Sequence, residues 1–287
     1  YIMAYAWMDL LHPIGPLQSC LRALLGLGSP QDLQLPDLRS LPGCALVLGF
    51  VLYPYVYFTT RAMFLMQSAS VLEAARSLGQ GPGAVFLRVA LPLARPAIAV
   101  GTSLALMEAL NDVGAAELLG VRTLTVSIYS TWVNRADLAG AAQIALAMLA
   151  VVVALLVFER LARRRQRYAV AAQKSRRMVP QRLAGRASAA VVALLCVPVL
   201  LGFVAPAGYL LARALERLRF AGFPAGLVQV TLDTLRLSAI ATIVTLLAAV
   251  VVVYALRLRP GALAAGSERI AVLGYAVPGA VIVVGLL

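Results

Sequence analysis

Few residues in this chain are equipped for chemistry. Its 287 residues include 12 acids, one histidine and three cysteines. Cys20, Cys44 and Cys196 lie in or beside apolar runs at no CxxC or zinc spacing, so they read as small buried hydrophobes. His12 stands alone before Pro13 and reads as a loop residue, since one histidine builds no metal site. No GxxxxGK[ST] phosphate loop occurs, and the GQGPG run at Gly79–Gly83 resembles one only superficially. No carboxylate pair, Ser/His pairing or HExxH offers acid–base, nucleophilic or metal-assisted catalysis. The expectation is a chain with no catalytic residue, no metal and no cofactor of its own.

What remains is a set of polar groups inside apolar runs. Glu108, Asn111 and Asp112 share one face at helical spacing, late in a long apolar segment. Ionisable groups in a bilayer are costly and ordinarily face a cavity or a partner. Two readings stand for this face. It lines a solute path near its outer end, or it sits at the interface, bonded to water or to a neighbouring helix. Asp233 and Arg236 are three residues apart, and either pair along a helix or snorkel at its end; the second is the simpler. Tyr53, Tyr55 and Tyr57 flank Pro54, on a packed face or a pore wall.

The elements that carry these residues follow from composition. The chain is 62% hydrophobic and 13% charged, with mean hydropathy +0.89. A soluble domain runs about 45–50% apolar and about 25% charged, so this is an integral membrane protein. Full spans are expected at Leu41–Met66, Ala94–Leu119, Leu138–Phe158, Ala187–Leu211 and Val228–Leu256. Partial spans are expected at Tyr1–Leu11 and Ile270–Leu287. Five full and two partial spans, with apolar residues at both ends and no signal peptide, read as a fragment cut inside a span at each end.

Charge orients the spans. The regions 160–186, 61–95 and 257–269 hold 17 of the 25 basic residues, against the acids Glu73 and Glu268 within them and Glu159 at the edge of the first. They are separated by even numbers of spans, so the positive-inside rule places all three in the cytoplasm, including the linker 160–186 and the loop 67–95. The basic linker has little aromatic interleaving and lies between spans, so topology and attraction to anionic headgroups explain it, and nucleic acid does not.

The loop Ser70–Pro96 is more than a connector. Ser70 and Glu73 have capping-box spacing, so a short helix is expected to start there, with Val71, Leu72, Ala75 and Leu78 on its apolar side. Gly79 fits its C′ position, Pro82 can start a second short helix carrying Val85, Phe86, Val89 and Leu91, and Pro92 is expected to end it. On physics alone the loop could lie on the membrane, pack on its own bundle or dock a partner.

Here the residues resemble a known family. Glu73-Ala74-Ala75, three residues, Gly79, nine residues, Val89, one residue, Leu91-Pro92 is similar to the EAA loop of ABC-importer permeases, E-A-A-x(3)-G-x(9)-I-x-L-P, with only Val89 departing. The resemblance implies an all-α, polytopic transmembrane helical bundle of the ABC-importer permease (MetI-like) type. It also implies that Glu73, Ala74, Ala75, Gly79, Val89, Leu91 and Pro92 form a loop that docks a separate ATPase, where ATP and Mg would be bound. The expected partners are ABC ATPase subunits, as a dimer, a periplasmic solute-binding protein and the lipid bilayer of the bacterial inner membrane.

The flanking segments LPGCALVLGFVLYPYVYFTTRAMF and ARPAIAVGTSLALMEALNDVGAAELLG look like the ferric-iron type, in which two permease halves are fused. On that reading 1–160 is the later part of a first half, 161–186 the cytoplasmic linker and 187–287 the start of a second half. The second half's own EAA loop would follow Leu287, and PGAVIVVGLL can be laid on the residues at Tyr1 as a faint repeat. Ferric iron is then the expected solute, with thiamine, polyamine and phosphonate importers as alternatives. A secondary transporter driven by an ion gradient would keep the spans and the intramembrane acids but would have no use for the EAA loop.

Overall fold

The computed structural model describes residues 1–29, 32–33, 35–66, 69–164, 185–258, 261, 266 and 279–286. Among them every regular element is a helix. In chain order these are α1 (Ile2–Leu10), α2 (Pro16–Leu25), α3 (Leu41–Met66), α4 (Ala69–Ser77), α5 (Pro82–Val85), α6 (Leu91–Asn111), α7 (Gly114–Leu118), α8 (Leu124–Tyr129), α9 (Leu138–Arg164), α10 (Gly185–Val199), α11 (Ala205–Ala221), α12 (Leu227–Leu258) and α13 (Gly279–Leu286). Wide π turns at Phe86–Ala90, Ser130–Asn134 and Leu200–Val204 join α5 to α6, extend α8 and join α10 to α11. Five stretches are long and apolar enough to cross a bilayer: Leu41–Met66, Pro82–Asn111, Leu138–Val157, Ser188–Ala221 and Leu227–Ala255. Most of the basic linker lies outside the described residues.

The chain forms two compact units, Tyr1–Gly208 with Gly279–Leu287, and Tyr209–Pro278. In the first, α3 and α6 pack side by side. A Cβ on Gly101 of α6 would lie 2.6 Å from the Cα of Val56 in α3, so only glycine lets the two backbones approach this closely. Two cores that mix alanines with larger apolar side chains flank the pair. Ala4, Cys44, Val47, Ala115, Ala116 and Leu119 join α1, α3 and α7. Ile128, Ala141, Ala145, Met148 and Val284 join α8, α9 and α13. Small side chains suit a membrane bundle, where close van der Waals packing replaces the hydrophobic drive.

In the second unit, α12 exposes its apolar side chains along its length. Thr231, Thr234, Thr242 and Thr245 each donate a hydroxyl hydrogen bond to a carbonyl one turn back, at 2.7–2.8 Å, so they need no neighbouring helix. Asp233 accepts from Gln229 at 3.2 Å and pairs with Arg236 at 3.4 Å along the helix.

Several expectations are corrected. The span expected at Ala94–Leu119 stops at Asn111, because Asp112 leaves the helix at ψ 112° and a separate helix, α7, begins at Gly114. Pro92 does not end a short helix. The π turn hands the Leu91 N–H to the Phe86 carbonyl and the helix runs on into α6 through Pro92, whose missing N–H falls at the wide turn. Of the cysteines only Cys44 is buried, whereas Cys20 and Cys196 are exposed.

Candidate functional site

The loop after α3 is a helical hairpin closed by a glycine. α4 ends as the Gln80 N–H bonds the Ala75 carbonyl at 3.2 Å and the Gly79 N–H bonds the Arg76 carbonyl at 2.9 Å. Gly79 takes φ +80°, the left-handed conformation that a Cβ disfavours. Gly81 then places Pro82 in the first turn of α5. The hairpin has its own core of Leu72, Val85 and Ala90, with Phe64, Ala75 and Val89 against it. Val89 therefore packs within the loop rather than on its surface, and Leu91 and Pro92 are half-buried at the head of α6.

The outer face of the hairpin is unlike its inner face. Glu73, Ala74 and Gly79 are exposed. Of the expected apolar side, Leu72 is buried and Ala75 packs against it, while Val71 and Leu78 are exposed, Leu78 by 82%. The reason is angular: positions 71, 74 and 78 form one stripe of a helix and 72 and 75 another. The exposed stripe, Val71–Ala74–Leu78 beside Glu73, is the part of the site that sequence reading missed. The i, i+3, i+7 spacing was the available signal.

The second site is a ledge where α6 ends. Asp112 accepts hydrogen bonds from the backbone N–H groups of Ala115 at 2.9 Å and Ala116 at 3.2 Å, tying its carboxylate to the first turn of α7. The Thr125 hydroxyl donates to the Asp112 carbonyl at 3.4 Å. The Tyr55 side chain of α3 lies close enough to Glu108 to feel its carboxylate electrostatically. The Asn111 side-chain oxygen is buried with no hydrogen-bond partner among the described residues. Glu108 and Asp112 line a cavity of about 390 Å³, together with Tyr1–Ala4, Val47, Leu48, Val51, Leu52 and Ala115. The structure thus brings Glu108 and Asp112 to one cavity through α6 and the turn after it, not along one continuous helix face. Tyr55, which lies near Glu108, is the member that sequence reading left undecided. Among the described residues no cluster of three or more His, Cys, Asp or Glu could hold a metal ion.

Comparison with known proteins places this architecture. Residues 32–168, from before α3 to beyond α9, match the family described as binding-protein-dependent transport system inner membrane component. The described residues form an all-α bundle with five stretches long and apolar enough to cross a bilayer, the architecture the permease resemblance implies. A probable molybdenum ABC transporter permease protein of Haloferax volcanii is 33% identical over 129 residues, 44% of this chain and 44% of that protein. A molybdenum transport system permease protein of Mycobacterium tuberculosis is 34% identical over 124 residues, 41% of this chain and 46% of that protein. Each alignment thus spans less than half of either partner. These relatives are named for molybdenum, and none of them for the ferric iron expected from sequence.

Proposed function

We propose that this chain is the permease component of a binding-protein-dependent ABC importer, supplying the solute pathway and the ATPase contact while hydrolysis occurs on a separate subunit. The observation that carries this is the loop. A hairpin with the EAA spacing has a closed core of Leu72, Val85 and Ala90 yet leaves Glu73, Ala74 and Leu78 exposed. The family match at residues 32–168 includes it. An exposed apolar and acidic stripe on a rigid hairpin fits a groove on a soluble partner better than it fits the bundle it has turned away from. On this reading Glu73 meets basic or polar groups of the ATPase, Ala74 and Ala75 allow close approach, and Gly79 sets the turn. The loop and the basic linker 160–186 face the cytoplasm, the side on which ATP is available. The stretches 1–160 and 187–287 belong to successive permease halves.

The acidic cavity at Glu108 and Asp112 is the proposed outer part of the path. For the cargo, ferric iron rests on the resemblance of the segments around the loop. A molybdenum species is the second reading, favoured by the names of the relatives. The test is to co-purify the full-length protein with its candidate ATPase and binding protein, and to measure ATP-dependent uptake of labelled ferric iron and of molybdate. Glu73→Ala and Gly79→Val are expected to abolish both complex and uptake. Survival of both in both variants would overturn the reading. Uptake of only one solute decides the cargo.

A further inference from the structure

Several prolines interrupt helices of the first unit, and two of the carbonyls they free lie where α10–α11 meets α1 and α3. In α3, Pro54 removes the N–H that the Phe50 carbonyl would accept four residues on. At the other break, the π turn gives the Ala205 N–H to the Leu200 carbonyl, and the next residue, Pro206, has no N–H for Leu201. Leu201 is therefore left without a donor in its own helix. In a bilayer such an orphan is costly and must find another partner.

Both find one across the same contact. The Trp7 indole Nε1–H of α1 donates to the Leu201 carbonyl at 3.0 Å. Gly202, itself buried, lies against the Phe50 carbonyl so closely that any Cβ would collide with that oxygen. This is the geometry of a Cα–H···O contact, available to glycine in particular. Pro206 is fully buried at the junction.

We propose that Trp7, Phe50, Leu201 and Gly202 form a two-point clasp, built from proline-freed carbonyls, that fixes the α10–α11 break to α1 and α3 and so ties it to the walls of the acidic cavity. Both helices reach that cavity, α1 through Ile2 to Ala4 and α3 through Val47 to Leu52. Motion of α10–α11 then pulls on the cavity walls without any contact to Glu108 or Asp112. The clasp stands on geometry alone and does not depend on the transport reading.

The test uses the full chain in lipid nanodiscs. Trp7 and Trp132 are the two tryptophans, and Trp132→Phe serves to assign the Trp7 indole proton by NMR. That proton is expected downfield, at a hydrogen-bonded position. Pro206→Ala supplies a helical N–H near Leu201 without adding bulk, and Gly202→Leu wedges α10 off α3. Each is expected to move the Trp7 resonance upfield. In a Cys20→Ser, Cys196→Ser background, maleimide labelling of the buried Cys44, which packs between α1 and α7, is expected to rise about tenfold in Gly202→Leu as this core opens locally. A Trp7 resonance unmoved in both variants would overturn the clasp. A moved resonance with an unchanged Cys44 rate would overturn its link to the cavity.

Discussion

The hairpin at residues 69–90 and the ledge at Glu108–Thr125 both carry polar side chains at the end of a long apolar helix, and they settle them in opposite ways. In the hairpin the acid is left free of the fold. Glu73 is exposed beside an exposed leucine, while the loop's own core closes without either. On the ledge the acids are taken up by the fold: Asp112 caps α7, and Glu108 lines the cavity near Tyr55. The difference separates two kinds of intramembrane and juxtamembrane polarity. A side chain that leaves the structure intact when removed is available to a partner, whereas one that holds two backbone N–H groups is first a part of the scaffold.

That contrast can be broken or sharpened by substitution, and the largest effect is expected in the scaffold that carries both regions. Gly101→Leu forces a side chain into the Val56 backbone and should cost about 3 kcal/mol or more by overpacking, read as loss of folded protein by size-exclusion in detergent. Gly79→Val is next. It places a β-branched residue at φ +80° and should cost about 1–3 kcal/mol locally, visible as faster proteolysis of the loop while the spans remain protected. Asp112→Ala should destabilise by about 1 kcal/mol through loss of the α7 cap, measured as a fall in Tm that Asp112→Asn largely restores, since an asparagine oxygen can still accept. Tyr55→Phe should cost at most about 1 kcal/mol, and any coupling of its hydroxyl to the nearby carboxylate should vanish in a Glu108→Gln background, read by a double-mutant cycle. Glu73→Ala should change stability least, within about 0.5 kcal/mol, as befits an exposed side chain.

The hairpin was legible in the sequence because its signals are local. Gly79, Pro82 and the spacing of Leu72 and Ala75 each fix a backbone feature within a few residues. The orientation of Leu78 was misjudged because a helix of nine residues offers two adjacent apolar stripes, and only the packing of Val85 and Ala90 decides which one is inward. The ledge was half legible. Glu108 and Asp112 stood out as polar residues in an apolar run, but the helix end between them did not, since Asn111 and Asp112 continue a helix as readily as they cap the next one. Pro92 failed as a stop signal for a related reason. One widened turn at Phe86–Ala90 absorbs what a regular helix could not. The Trp7–Leu201 bond and the approach of Tyr55 to Glu108 join residues far apart in the chain, which no local pattern could reveal.

The central claim is that the Glu73 face serves a partner and the Asp112 carboxylate serves the fold. The most direct measurement is a pull-down of the candidate ATPase by full-length Glu73→Ala and Asp112→Asn proteins, with Tm recorded on the same samples. The account predicts that Glu73→Ala keeps its Tm and loses the ATPase, while Asp112→Asn keeps both. ATPase retained by a folded Glu73→Ala protein would contradict it.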